Sequence, residues 1–202
     1  DHGTARELGK LIAGVVAVEG NPRAFAGRDL VADLNSAFDG QHYGQFNWDQ
    51  AWAMLALRAA GAPIPSAAAQ ALLSDAVNGG GWGFAPGMNA EVDSTGLVLQ
   101  ALVAAGVPPT TTVIVAARAY LQTQQNSDGG FPVRAGGASN APSTAYAVMG
   151  LVAIGENPLA PTWRQSGGSP IDALLRAQSA AGGLAGTSGD NDLQATAQSI
   201  PA

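Results

Sequence analysis

Two short tags recur along this chain in a fixed order, and they restrict its fold more than any other feature. The first is a small-residue end signal: 59-AAG-61 after 49-DQAWAMLALR-58, and 104-AAG-106 after 93-DSTGLVLQALV-103. Relaxed copies are 153-AIG-155 after 142-PSTAYAVMGLV-152 and 18-VEG-20 after 8-LGKLIAGVVA-17. The glycines at 20, 61, 106 and 155 are spaced by 41, 45 and 49 residues. The second tag lies between them: 79-GGGWGF-84, 128-DGGF-131, 182-GGL-184 and a degenerate 39-DGQHYGQF-46. A period of this length is the mark of a repeat architecture, in which one supersecondary unit is stacked many times.

Ala/Leu-rich stretches precede each second tag: 28-RDLVADLNSAF-38, 67-AAAQALLSDAV-77, 112-TVIVAARAYLQTQQ-125 and 171-IDALLRAQSA-180. Their apolar residues recur at helical spacing, and no strand-like alternation persists. Each unit therefore reads as helix, Gly-aromatic turn, helix, then a Gly/Pro connector. One class of helix is expected near 4–19, 47–60, 93–105, 142–154 and 191–200, the other near 27–38, 66–77, 110–125 and 170–179. Gly61, Gly106 and Gly155 read as left-handed C-terminal caps, each followed shortly by Pro63, Pro108 or Pro158. Asp93 or Ser94, Ser143, Asn191 and Ser66 are the expected N-caps. The expected fold is all-α, one domain over 1–202 built as an array of about 4.5 helical hairpins.

In 122-QTQQNSDGGF-131 the paired glycines permit a tight turn and Phe131 then drops back against the helices it joins. Gln122, Gln124 and Gln125 are placed to cap the helix end or to bridge to the next turn.

Composition excludes several functions. Charged residues are only 12 % of the chain, about half the usual share, and the formal charge is −6. There is no Lys/Arg cluster, and Lys10 is the single lysine, so nucleic acid is not an expected partner. Cysteine is absent, which removes disulfides, thiolate nucleophiles, thioesters and zinc-thiolate sites. No apolar run approaches the roughly 18 residues that span a bilayer. The start at Asp1, without Met, reads as a cut or processed end; if a signal peptide existed, it has been removed.

The cadence resembles the Q-W repeat of the prenyltransferase and squalene/oxidosqualene cyclase superfamily, whose unit runs from an apolar helix through Gln to Asp-Gly-Gly-Trp. The best copy is 118-RAYLQTQQNSDGGF-131, with Phe131 in the Trp position; 79-GGGWGF-84 keeps the Trp, and 176-RAQSAAGGL-184 keeps Gln178. The resemblance covers nearly the whole chain. It implies an α/α toroid, with inner helices around a cavity and outer helices around them. A closed toroid of about six hairpins would need on the order of 280 residues. With four and a half units, the chain is expected to be an open arc, a tightened barrel or a piece completed elsewhere, with a homodimer as one route to completion. The resemblance points to exported bacterial members, the branch that is also similar to the helical domain of cobalamin carriers. It therefore implies a secreted or cell-surface bacterial protein.

The family's catalytic groups are not evident. Class II terpene cyclases protonate their substrate with Asp-x-Asp-Asp, and the nearest string is taken as 190-DNDL-193, in which Leu193 replaces the last acid. Asn191 or Asp192 there reads more simply as a cap. Prenyltransferase zinc needs Asp, Cys and His, and His2 and His42 stand 40 residues apart without a Cys, so no metal is expected. Asp49, Asp93 and Asp192 lie at helix starts on one rim, with Glu91 nearby; they suit the helix dipole, a ligand, or a carboxylate-dependent hydrolase. Tyr43, Phe46, Trp48, Trp82 and Phe84 are expected to gather at the cavity mouth, fit for a flat or amphipathic ligand, with His42 in the same neighbourhood. The expected function is a non-catalytic binding module for a corrinoid or hydrophobic small molecule. The alternatives are a terpenoid-cyclase-like isomerase, a hydrolase, or a structural module that binds proteins.

Overall fold

The computed structural model describes residues 3–185 and 192–199. Among them are nine α-helices: α1 (Ala5–Ala17), α2 (Leu30–Ser36), α3 (Asn47–Ala59), α4 (Ser66–Ser74), α5 (Val92–Ala104), α6 (Thr112–Gln124), α7 (Ala141–Ala153), α8 (Pro170–Ala177) and α9 (Leu193–Ser199). A 3-10 turn, Pro161–Trp163, is the one element the periodicity does not predict. The described residues contain isolated bridges but no strand. The chain is an all-α array of helical hairpins.

The odd-numbered helices form an inner row: α1 packs on α3, α3 on α5, α5 on α7 and α7 on α9. The even-numbered helices lie outside them. The inner helices run parallel, because side chains meet at equal depth. Arg6 and Asp49 are the second and third residues of α1 and α3 and lie 4.0 Å apart. Trp48 and Ser94 hold the same two positions in α3 and α5 and are hydrogen-bonded. The fifth residue of each inner helix is small: Gly9, Ala51, Gly96, Ala145 and Ala197. A Cβ on Gly9 would lie 2.7 Å from the Trp52 carbonyl oxygen, and one on Gly96 would run into the Tyr146 carbonyl. Side-chain bulk is thus excluded where the backbones approach most closely.

Each Gly turn is locked to the inner helix that follows. The backbone N–H of Tyr43 donates to Gln50 Oε1 (2.7 Å), Trp82 N–H to Thr95 Oγ1 (3.0 Å), Phe131 N–H to Thr144 Oγ1 (3.0 Å) and Leu184 N–H to Thr196 Oγ1 (2.8 Å). All four acceptors are the fourth residue of their helix. Gln125 caps the turn behind it, donating to the Gly129 carbonyl at 2.9 Å and across to the Trp163 carbonyl at 2.8 Å. Gln178 repeats the first contact on Gly182. The glutamine therefore both caps and bridges.

Helix ends follow the glycines in three units, where φ is +64° at Gly61 and +84° at Gly106 and Gly155. The first unit differs: Glu19, at φ +58°, is the left-handed residue rather than Gly20. Helix starts fall earlier than the cap residues suggested. Asp93 and Ser94 are the second and third residues of α5, Ser143 the third of α7 and Ser66 the first of α4. The reason is non-local. The N–H of Glu91 donates to the Trp82 carbonyl, as Asn140 does to Phe131 and Asp192 to Leu184. These turn contacts make Glu91, Asn140 and Asp192 the residues that open the helices. Asn191, the other expected cap, lies outside the described residues.

Candidate functional site

The register of the parallel inner helices decides what faces the centre. Sixth residues Lys10, Trp52, Leu97 and Tyr146 and ninth residues Ala13, Leu55, Gln100 and Met149 line one cavity of 620 Å³. Ala17 of α1 and Ala197 of α9 line it too, so the row curls around the space. The walls are mostly apolar or aromatic, the character of a site for a hydrophobic small molecule. Lys10 Nζ sits 5.3 Å from the Trp52 ring centre, and partial burial pulls its pKa below the ordinary value.

One turn toward the helix starts, an aromatic group closes on the second residue of α3. Trp48 packs edge-on to Tyr146 with centres 5.4 Å apart and lies 5.8 Å from Phe84, which stacks on Phe46 at 4.7 Å. The Arg6 guanidinium stands 5.7 Å from the Phe84 ring centre. Phe46, Trp48 and Phe84 are thus brought together as expected from the sequence. Tyr146 joins them from a different repeat, and no local signal marks it. Tyr43 and Trp82 do not reach this group. Tyr43 packs on Phe38 at 4.7 Å, and Trp82 is fully buried, its Nε1 donating to the Leu72 carbonyl of α4. His42 sits apart in the turn after α2, where its N–H donates to Asp39.

The acidic residues separate into distinct roles. Asp192 is buried and caps α9, accepting from the Ala195 N–H at 2.9 Å. Asp190 and Asn191, also in the string taken for the acid motif, lie outside the described residues, as does His2. Asp49 is buried beneath the Arg6 guanidinium; burial raises its pKa and Arg6 opposes the rise. Asp93 lies one helical turn before Leu97, which lines the cavity. Its Oδ1 is enclosed and has no hydrogen-bond partner among the described residues. Burial pushes its pKa up to about 6; the Ser143 hydroxyl pulls the other way, and the charge of Glu91 adds to the rise. Tyr146 is pushed up to about 12 by burial, with the Asp93 charge contributing.

Glu91 links these parts. Asn140 and Asp192, in the same slot before α7 and α9, spend their side chains on capping. Glu91 does not cap α5. Its Oε1 accepts from Ser94 Oγ (2.8 Å), which accepts from Trp48 Nε1 (2.6 Å), and its Oε2 accepts from Arg134 (3.1 Å). The string 91-EVDS-94 therefore places carboxylates at the first and third positions of Asp-x-Asp-Asp, with a hydroxyl at the fourth. The sequence alone favoured 190-DNDL-193, because a Glu and a Ser hide the pattern; the shared slot of Glu91, Asn140 and Asp192 reveals it. Among the described residues, no group of three or more His, Asp or Glu could hold a metal ion. No described helix is long and apolar enough to cross a membrane.

No family model matches the chain. It is 40 % identical over 91 residues to the drimenyl diphosphate synthase of Streptantibioticus cattleyicolor. That match covers 44 % of this chain and 17 % of the relative, so the chain spans under a fifth of that protein's length. The relative is a terpene synthase, in keeping with a terpenoid-cyclase-like helical fold.

Proposed function

We propose that the lumen binds an isoprenoid chain and that Asp93, held protonated, starts its cyclisation by giving a proton to a carbon–carbon double bond. The observation that carries this reading is Asp93 itself: a carboxyl with an enclosed oxygen, one helical turn from the cavity-lining Leu97 and near enough to the cavity-lining Tyr146 for its charge to act on that hydroxyl, in an acidic string of the right spacing. A carboxylic acid is a weak donor to an alkene in water. Burial removes the competing water, and the raised pKa keeps the proton on at mildly acidic pH.

The step is balanced within the ligand and one side chain. The Asp93 O–H bond breaks and a C–H bond forms, leaving a tertiary carbocation. A neighbouring double bond attacks it and closes a ring. Loss of a proton from carbon ends the reaction and the acid is reprotonated, so the net change is isomerisation. Tyr146, which lines the cavity and feels the Asp93 charge, presents an aromatic ring there backed by Trp48, and a cation is stabilised by such a π face. Similarity to a terpene synthase supports the same reading.

The test is incubation in deuterated water with acyclic C15 isoprenoid substrates. A cyclic product carrying one deuterium at the protonated carbon, absent with Asp93→Asn, is the expected result. Equal product from native protein and Asp93→Asn overturns the role of Asp93. The second reading is non-catalytic binding of a hydrophobic molecule or a corrinoid in the same lumen, favoured by its apolar walls; retained ligand without any turnover would select it.

A further inference from the structure

We infer that two copies of this chain dock through the free face of α1, with the two α1 helices antiparallel about Gly14. The register of the inner row points to this face. Each inner helix turns its seventh and tenth residues toward the helix before it. A Cβ added to Gly9 of α1 would lie 3.3 Å from the Ala53 nitrogen of α3, and one added to Gly150 of α7 would lie 2.8 Å from the Gly96 Cα of α5. These positions are buried in all three later helices: Ala53 and Ala56 in α3, Val98 and Ala101 in α5, Ala147 and Gly150 in α7. In α1 they are Leu11 and Gly14, and both are exposed. Among the described residues α1 packs on α3 and α2, and neither covers this stripe. Leu11 is 42 % exposed, a Cβ on Gly14 would meet nothing within 4 Å, and Val18, one turn on along the same stripe, is 78 % exposed.

The face is complementary to itself, which is what a twofold contact requires. Centred on Gly14, an antiparallel pair sets Leu11 of one copy against Ala17 and Gly14 of the other. The leucine then fills the space that the missing Cβ leaves, and the backbones approach closely. The ends of the stripe carry opposite charges, Lys10 near the start and Glu19 just past the helix. The ion pairs of the described residues use neither of them. Antiparallel docking brings each Lys10 across from Val18 of the other copy, within side-chain reach of Glu19. Parallel docking would set Lys10 on Lys10 and Glu19 on Glu19. Charges at such a rim fix orientation more than affinity. A helix of 13 residues is about 20 Å long, so the contact falls at the small end of specific interfaces and the dimer depends on concentration. Lys10 and Gly14 also line the cavity, so the second copy's α1 borders the lumen.

The experiment is sedimentation velocity of the whole chain over about 1–500 µM, a range in which mass action populates a small interface. The native chain should pass from monomer to dimer. Leu11→Glu should raise the dissociation constant about tenfold or more, because the contact would bury an unpaired carboxylate. Leu11 is exposed in the single chain, so the variant should keep the native circular dichroism and melting temperature at low concentration. Lys10→Glu and Glu19→Lys should each weaken self-association by about fivefold, and an equimolar mixture of the two should recover it, since both charge contacts are then opposite in sign. A native chain that stays monomeric at the highest concentration overturns the inference, as does a dimer that Leu11→Glu leaves intact. A mixture no stronger than its two components overturns the antiparallel contact. A monomer that floats instead with phosphatidylcholine vesicles, and stops doing so with Leu11→Glu, shows that a lipid surface covers this face and overturns the second copy as its partner.

Discussion

Trp48 Nε1 donates to Ser94 Oγ at 2.6 Å, joining an indole on α3 to a hydroxyl on α5. Because the Ser94 hydroxyl in turn donates to Glu91 Oε1, the aromatic rim is tied to a buried carboxyl. Ser94→Ala removes both bonds and strands the indole N–H. A loss of about 1–3 kcal/mol is expected from denaturant midpoints. Ser94→Thr, which keeps the hydroxyl, should lose less.

The turn clamps make a sharper comparison. Thr95→Val leaves the fully buried Trp82 N–H without its acceptor at nearly constant volume. It should destabilise by about 1–3 kcal/mol, whereas Thr95→Ser should stay within about 1 kcal/mol of the native chain. Thr144→Val should behave the same way through Phe131. Urea unfolding of the three variants checks the pattern.

Two helical glycines should respond in opposite directions. Gly96→Ala drives a methyl into the Tyr146 backbone of α7, an overpacking expected to cost about 1–3 kcal/mol or more. Gly14→Ala meets nothing within 4 Å and removes an interior helical glycine. It should stabilise by about 0.5–1 kcal/mol. Thermal melts of both decide it.

The pH dependence follows from Asp93. Its folded pKa of about 6 lies above the ordinary 3.8, so the folded chain holds the proton more tightly than the unfolded one. Below about pH 4 both states are protonated and Asp93 has no effect. Between about 4 and 6 the unfolded chain releases the proton first, and stability falls as pH rises. Above about 6 a penalty of roughly 3 kcal/mol stands. Asp93→Asn removes this slope, so its stability relative to native should rise by about that amount from pH 4 to pH 7. A difference that stays flat across this range would contradict the buried acid.

The fold was legible because its signals are local. Glycines at 61, 106 and 155 terminate helices by their own backbone freedom, and apolar residues at helical spacing mark the helices within a short window. The site was legible only in part. Phe46 and Phe84 follow Gly turns and Trp48 stands at the next helix start, which puts them near one rim, but the same signal also groups Tyr43 and Trp82, which pack elsewhere. Tyr146 and Arg134 act on residues 98 and 43 positions away, Trp48 and Glu91, and no window of sequence contains both partners. Helix starts were misplaced for the same reason: Asp93 and Ser94 have the chemistry of caps, but a bridge from Glu91 to Trp82 fixes where α5 begins.

The most direct measurement is a carbon-13 NMR titration of the Asp93 side-chain carboxyl, assigned with Asp93→Asn, with and without a saturating C15 isoprenoid alcohol. A midpoint near 6 that moves higher when the lumen is filled is expected, because the ligand displaces the remaining water from around the acid. A midpoint near 4, or one indifferent to the ligand, would show that Asp93 is an ordinary surface carboxylate and that the acid does not face the bound chain.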